Sequence, residues 1–176
     1  MGRGSALLAV AGNCRVVAVY GRHGDVVMRG SGGTVRERGG KADEELVGPG
    51  MGRACKTVEA VDKLLRRWQK PCVVDADGLF GLQPEAAQGA LLTPHAGELA
   101  RLAKATGIAP GDDGREAMVR EIALAYSATV LAKGPEDVIT DGTHTRRNRT
   151  GHPRLAVGGT GDVLAGMCAA AMARGL

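Results

Sequence analysis

The chain has 176 residues, 44% hydrophobic and 24% charged, which is typical of one folded domain and excludes a largely disordered chain. The formal net charge of +4 is a mild basic bias, too small to indicate a nucleic-acid-binding tail. Aromatic residues make up only 2%, which argues against base-stacking platforms, whereas the 28 glycines predict tight turns where backbone approaches a ligand.

The cysteines and the hydropathy pattern limit the class of protein further. Cys14, Cys55, Cys72 and Cys168 are far apart and form no Cys-x-x-Cys pair, so neither a zinc site nor a disulfide framework is expected. The sequence has no apolar run of about 18 residues and no clear signal-peptide pattern. We therefore expect a cytoplasmic protein with reduced thiols, without a protein-built metal cluster and without membrane or nucleic-acid partners.

The first third of the chain shows short strand patterns between glycine-rich segments. Residues 5–12 look like the end of a helix, and Val16–Tyr20 is a β-branched run typical of a strand. Residues 21–43 are rich in Gly and Arg and give no assignment. Glu45–Val47 predicts a short strand that ends in the turn Gly48-Pro49-Gly50-Met51-Gly52.

Helix and strand patterns alternate through the middle of the chain. Thr57 is the expected N-cap of a helix whose apolar residues, from Val58 to Trp68, recur at helical spacing. The apolar run Cys72–Val74 predicts a strand covered on both faces. A short strand at Leu91–Thr93 and a helix over Gly97–Thr106, capped by Thr93 or Glu98, follow.

The last third continues this alternation. We predict a helix at 115–126 with Met118, Ile122 and Ala125 on one face, and strands at Thr129–Ala132 and Val138–Thr140. A final apolar helix is predicted from Val163 to Ala173. Such alternation indicates a parallel sheet with helices on both faces, and ligands of such sheets bind beyond the carboxyl ends of the strands.

The strongest local motif is the turn Gly158-Gly159-Thr160-Gly161-Asp162 in front of the last helix. Its glycines would let backbone N–H groups face a phosphate at a helix N-terminus, and Asp162 could then act as a general base. A glycine-rich turn with an Asp cap explains the same residues without a ligand. The motif is neither a Walker A loop nor a G-x-G-x-x-G fingerprint.

Four further segments also have both a structural and a functional interpretation. His95 is either a surface or structural residue or a ligand contact at the end of its strand, and Asp75 with Asp77 would either form a turn or order a magnesium-bound phosphate. Lys133 lies in a turn that is either a plain hairpin or a phosphate contact. The basic residues at the end of the chain are either solvated or phosphate-binding; they are Arg146, Arg147, Arg149 and Arg154.

The order of these motifs is more specific than any one of them. From about Gly48 to Gly175 the sequence resembles the nucleotide-dependent NAD(P)H-hydrate dehydratases. The segments that carry the resemblance are GPGMGR, VVDADGL, LLTPHAGELARL, LAKGPEDVI and NRTGHPRLAVGGTGDVLAG. The resemblance implies an α/β, ribokinase-like three-layer αβα sandwich with a mostly parallel central sheet. Relative to the family, residues 1–176 look like a single domain shortened at both ends.

The resemblance also implies a reaction and a set of site residues. NADH or NADPH hydrated on the nicotinamide ring would be phosphorylated by ADP, in preference to ATP, with Mg²⁺, and loss of phosphate would restore NAD(P)H. Asp162 would be the catalytic base. The implied dinucleotide contacts are Gly50, Gly52, His95 and Asp162. The implied nucleotide contacts are Lys133, Gly134, Pro135, Glu136, Asp137, Gly159, Thr160 and Gly161.

Two other functions stay open from the sequence. A vitamin-precursor or sugar kinase of the same superfamily would share the Gly-Thr-Gly-Asp turn, although the TPHAGE and NRTGHP segments argue against it. A shortened, inactive domain that only binds nucleotide or a partner chain is the other alternative. The family often assembles, so we expect a homo-oligomer.

Overall fold

The computed structural model describes residues 14–22, 25–30, 33–35, 44–68, 70–109, 114–172 and 174–175, with side chains from residue 46 onward. The helix predicted at 5–12 lies outside these residues. The strands are β1 (Cys14–Arg22), β2 (Asp25–Gly30), β3 (Gly33–Val35), β4 (Glu44–Val47), β5 (Cys72–Val74), β6 (Leu91–Leu92), β7 (Thr129–Ala132), β8 (Asp137–Thr140) and β9 (Thr145–Asn148). The helices are α1 (Cys55–Arg67), α2 (Ala96–Thr106), α3 (Gly114–Tyr126) and α4 (Thr160–Met172).

The described strands form one sheet in the order β3-β2-β1-β4-β5-β6-β7-β8-β9. Its centre is parallel, because β1, β4, β5, β6 and β7 run in the same direction. The flanking strands β2, β3, β8 and β9 are antiparallel. The predicted α/β class with a mostly parallel central sheet is therefore confirmed.

Side-chain alternation along the central strands creates the two outer layers. Leu46 of β4 and Val73 of β5 pack against Ala165 and Ala169 of α4 on one face. Val74 and its neighbours face the opposite side, where they share a larger core with α1, α2 and α3. Both faces of the central strands are thus covered, which is why these strands read as continuous apolar runs.

Two helix details differ from the prediction. Helix α1 begins before Thr57, because the amides of Thr57 and Val58 both donate to the carbonyl of Ala54. Thr57 is therefore a buried residue inside the helix, and the N-cap prediction was wrong. In α3 the buried face contains Ile122 but not Ala125, which is exposed.

The sheet edges contain the strands that the sequence did not indicate. Strands β2 and β3 come from the glycine- and arginine-rich residues 21–43, and β9 is the polar segment Thr-Arg-Arg-Asn. Strands β3 and β9 are the two edge strands, each hydrogen-bonded to one neighbour, and β2 lies between β3 and β1. None of the helices in the described part of the chain combines the length and hydropathy that crossing a membrane requires.

Candidate active site

The carboxyl ends of four parallel strands bring the sequence motifs to one edge of the sheet. The main-chain hydrogen bonding between neighbouring strands continues past the strand ends. Asp75 N–H donates to Val47 O at 2.9 Å, and Thr93 N–H donates to Val74 O at 3.1 Å. Lys133 N–H donates to the carbonyl of Pro94 at 2.8 Å. These main-chain bonds fix the positions from which the polar side chains of this edge project.

A buried ion pair joins two of these strand ends. Lys133 Nζ lies 2.8 Å from Asp75 Oδ1, and the Thr93 hydroxyl donates to the same oxygen at 2.8 Å. The Asp75 side chain is 1% exposed and that of Lys133 19%. Asp75 is therefore the counter-ion of Lys133, a role that the sequence did not indicate.

The turn before α4 lies next to this ion pair. A Cβ placed on Gly161 would be 3.4 Å from Lys133 Nζ, and Gly159 has a left-handed backbone with φ of +93°. Around Gly158 and Gly159, a Cβ would find no described atom within 4 Å. The Thr160 hydroxyl donates to the carbonyls of Leu155 and Val157, both at 2.8 Å. Thr160 thus closes the turn through its side chain and leaves the glycine backbone open.

Asp162 lies in the first turn of α4 and its side chain is exposed. Its pKa is raised above the ordinary value of 3.8, firstly by desolvation and secondly by the charge of Asp75, while Lys133 opposes the rise. Burial also raises the pKa of the Cys168 thiol, with a further contribution from Asp75. Together with the approach of Gly161 to Lys133, these effects are consistent with a position of the first turns of α4 near the ion pair.

The first glycine-rich turn is held by Asp77. Gly52 N–H donates to Asp77 Oδ2 at 3.0 Å, and Arg53 Nε lies 2.7 Å from Asp77 Oδ1. Gly50 and Gly52 are left-handed, with φ of +73° and +78°, and a Cβ on either would meet no atom of the described residues within 4 Å. The turn is rigid at its base and open at the two glycines predicted to contact the dinucleotide.

His95 is the N-cap of α2, so the prediction that Thr93 or Glu98 occupies this position was wrong. Its Nδ1 accepts from Gly97 N–H at 3.0 Å, while His95 N–H donates to Glu98 Oε2 at 2.9 Å. Glu98 therefore completes a capping box with His95, whereas Thr93 bonds Asp75 instead. The imidazole stays exposed, with Nε2 at 3.2 Å from Glu98 Oε1, so the cap orients the ring at the carboxyl edge.

The turn from Lys133 to Asp137 joins the antiparallel strands β7 and β8, as the hairpin interpretation predicted. Gly134 N–H donates to Asp137 Oδ1 at 3.0 Å, and Asn148 Nδ2 donates to the other oxygen of Asp137. Arg149 Nε lies 2.8 Å from a Glu136 carboxylate oxygen. Pro135 is exposed at the tip.

Two residues of the arginine-rich segment, Arg147 and Arg149, form ion pairs with carboxylates. Arg147 pairs with Glu116 and lies 3.5 Å from Glu136, and Arg149 pairs with Glu136 as well. The Arg146 guanidinium donates to the carbonyl of Thr145. The solvated interpretation of this segment, with surface ion pairs, fits these contacts better than phosphate binding.

The structure thus brings Lys133, Gly161 and Asp162 together directly. Gly50, Gly52 and His95 follow the same edge of the sheet on neighbouring turns. Sequence reasoning missed Arg115, whose guanidinium binds three carbonyls around the Lys133 turn. The sequence contained one signal for Arg115, namely its position in the first turn of a predicted helix. A cation there is repelled by the positive end of the helix dipole unless it bonds elsewhere.

Comparison with known proteins identifies relatives along most of the chain. The family model described as NAD(P)H-hydrate dehydratase matches residues 4–176. A bifunctional NAD(P)H-hydrate repair enzyme of Pyrobaculum aerophilum is 46% identical over 129 residues, covering 70% of this chain and 25% of the relative. An ADP-dependent (S)-NAD(P)H-hydrate dehydratase of Cenarchaeum symbiosum is 47% identical over 91 residues, covering 51% of this chain and 31% of the relative.

Solved structures give the same answer for the fold. The ADP/ATP-dependent NAD(P)H-hydrate dehydratase of Bacillus subtilis, co-crystallised with ATP and Mg²⁺, matches with a TM-score of 0.63 and 29% identity. The match covers 74% of this chain and 47% of that one, so this chain spans about half of its solved relative. A ribokinase-like protein of Enterococcus faecalis matches with a TM-score of 0.61 at 24% identity, over 75% of this chain and 48% of that one. The fold is therefore ribokinase-like, and the chain belongs to the NAD(P)H-hydrate dehydratase family.

Proposed function

We propose that this chain catalyses the ADP-dependent dehydration of hydrated NADH and NADPH, a repair reaction that restores NAD(P)H. The observation that carries the proposal is the position of Asp162, which directly follows an open glycine turn whose Gly161 approaches Lys133 of the Asp75–Lys133 ion pair. The activities named for the relatives from C. symbiosum and B. subtilis support it. We also propose that residues 1–176 belong to a single domain and that the protein is cytoplasmic.

The nucleotide would bind along the turns from Lys133 to Asp137 and from Gly159 to Gly161. The α4 N-terminus supplies amide N–H groups and a partial positive charge, and Lys133 adds a full one nearby. The turn leaves room for a phosphate, since a Cβ on Gly158 or Gly159 would meet no atom of the described chain within 4 Å.

Magnesium would arrive with the nucleotide. In the described part of the chain, no group of three His, Cys, Asp or Glu side chains is placed to hold a metal ion. Mg²⁺ commonly keeps its waters and binds through substrate phosphates with few carboxylates. When bound, it would neutralise phosphate charge during phosphoryl transfer.

Asp162 would accept the proton of the ring hydroxyl as that oxygen forms a bond to the terminal phosphoryl group of ADP. The bond from that phosphorus to the bridging oxygen breaks, and AMP leaves. In the second step the C–O bond to phosphate breaks, a proton leaves the adjacent ring carbon, and the double bond of the dihydronicotinamide forms. Gly50, Gly52 and His95 would hold the dinucleotide so that its hydroxyl faces Asp162.

The test is recovery of the dihydronicotinamide absorbance after mixing the protein with hydrated NADH, ADP and Mg²⁺. Recovery with the unsubstituted protein, lost in Asp162→Asn, supports the proposal. Replacing ADP by ATP tests the proposed preference for ADP. Phosphorylation of a vitamin precursor or sugar without recovery would instead identify a small-molecule kinase. ADP binding without any turnover would identify an inactive nucleotide-binding domain.

We also propose that the protein forms a homo-oligomer. Leu155, Val157, Val163 and Met167 expose 60%, 60%, 42% and 62% of their surface on and just before α4. Exposed apolar residues grouped in this way are typical of interaction surfaces. Light scattering coupled to size-exclusion chromatography would test this, and a monomer at all concentrations would contradict it.

A further inference from the structure

Arg115 reaches from the start of α3 to the turn between β7 and β8. Its Nη1 donates to the carbonyl of Glu136 at 2.8 Å. Its Nη2 donates to the carbonyls of Ala132 at 2.9 Å and Lys133 at 3.1 Å. One guanidinium therefore binds both sides of the turn that begins at Lys133, and its acceptors are all main-chain oxygens.

The close fit of the turn around this guanidinium restricts its shape. A Cβ on Gly134 would lie 3.0 Å from Arg115 Nη2 and 3.2 Å from the carbonyl oxygen of Glu136. These distances are tighter than ordinary van der Waals contact, so Gly134 is the residue that lets the backbone close over Arg115. The planar fork of a guanidinium fixes the directions of its N–H groups, which an ammonium group cannot reproduce.

Other contacts to the turn are weaker constraints. The Glu136–Arg149 ion pair is exposed, with 71% of the Arg149 side chain accessible, and exposed pairs contribute little to stability. Asp137 binds Gly134 N–H and Asn148 at the other end of the turn. Arg115 binds the main chain of the turn directly from α3, whereas Arg147 links the turn to α3 only indirectly, through the carboxylates of Glu136 and Glu116.

We propose that Arg115 is a positioning residue that presets the Lys133–Asp137 turn for an adenine nucleotide. The inference rests on the proposed function, because that function gives the turn its ligand. Arg115 acts through the backbone of the turn. By holding the carbonyl of Lys133, it fixes the point from which the Lys133 ammonium reaches Asp75 and the α4 turn.

The experiment compares Arg115→Lys and Arg115→Met with Arg120→Met, an exposed arginine of the same helix. ADP affinity is measured by calorimetry, and hydrogen exchange is followed without nucleotide at the backbone amides of Lys133, Gly134, Glu136 and Asp137. We expect both Arg115 variants to bind ADP about tenfold more weakly, which corresponds to about 1.4 kcal/mol. Exchange in the turn should accelerate in both, and Arg120→Met should change neither quantity.

A turnover measurement separates positioning from general destabilisation. The KM for ADP should rise in the Arg115 variants, whereas kcat at saturating ADP should stay within about twofold of the unsubstituted protein, as uniform loss of binding requires. Full rescue by Arg115→Lys, or unchanged ADP affinity and turn exchange, would overturn the proposal while the function stands. Absence of ADP binding by the unsubstituted protein would overturn both.

Discussion

At the carboxyl edge of the sheet, Gly48 at the base of the first glycine-rich turn and the glycines of the second turn serve opposite purposes. Gly48 is buried at the base of the first turn, with φ of +140°, and a Cβ there would lie 1.6 Å from the carbonyl oxygen of Asp75. Gly158 and Gly159 are exposed, and a Cβ on either would reach no described neighbour within 4 Å. The first turn needs glycine to let two strand ends approach, and the second leaves space beside a helix N-terminus.

This difference separates structural from functional glycines. Replacing Gly48 must damage packing, because the clash is with backbone that cannot rotate away. Replacing Gly158, which has no left-handed φ and no described neighbour within 4 Å, leaves the fold intact and places a methyl group where we propose that phosphate binds. Stability and ligand binding should therefore respond in opposite patterns at the two turns.

The largest expected effect is on catalysis at the second turn. Asp162→Asn keeps the size of the side chain but removes the proposed proton acceptor, so the rate of NAD(P)H recovery should fall about 10²- to 10⁴-fold. Thermal unfolding should change little, because Asp162 is exposed on the first turn of α4. An Asp162→Asn protein with normal turnover would remove this residue from the mechanism.

The next effect is on folding at the first turn. Gly48→Ala combines a positive φ with a backbone clash, so the free energy of unfolding should fall by about 3 kcal/mol. Gly89→Ala is the matched control, since Gly89 has φ of +72° and open space among the described atoms. It should cost about 1 kcal/mol. Equal losses in urea denaturation would show that the contact with Asp75 is unimportant.

The contrast between these turns also shows which features can be read from sequence. Strands β5 and β7 were predictable because each is a continuous apolar run, and the turn before α4 because glycines precede an apolar helix. The contacts of Arg115 were not, because its acceptors lie 17 to 21 residues away. The N-cap of α1 is Ala54 and not the predicted Thr57, because main-chain hydrogen bonds to the Ala54 carbonyl set the start of the helix. Side-chain preference does not determine these bonds.

The same limit applies to the ion pair at the site. Asp75 and Lys133 are 58 residues apart, and only the parallel register of β5, β6 and β7 makes them neighbours. Sequence spacing could suggest that both lie at strand ends. It could not indicate that they bind each other and adjoin Asp162.

A smaller effect is expected in the pH profile of turnover. Asp162 must be ionised to accept a proton, and its pKa is raised, so kcat should fall with decreasing pH at values above the ordinary carboxyl range. Lys133→Met removes a charge that lowers this pKa, so the acidic limb should move to higher pH. Asp75→Asn removes a charge that raises the pKa, so the limb should move to lower pH.

Opposite displacements of the limb are the critical result, because general damage to the site would lower kcat without moving the limb in two directions. The profiles should be recorded at saturating ADP, since Lys133 is also a proposed nucleotide contact. Displacement in the same direction for both variants would contradict the electrostatic role of the pair.

The smallest expected effect tests the open space at the second turn. Gly158→Ala adds one methyl group at a position with ordinary φ, so the free energy of unfolding should change by no more than about 0.5 kcal/mol. ADP affinity measured by calorimetry should nevertheless fall several-fold, because the methyl group enters the space proposed for phosphate. Unchanged affinity with unchanged stability would mean that this space holds no ligand. The openness of Gly158 would then have no bearing on binding, and the contrast with Gly48 would be one of packing alone.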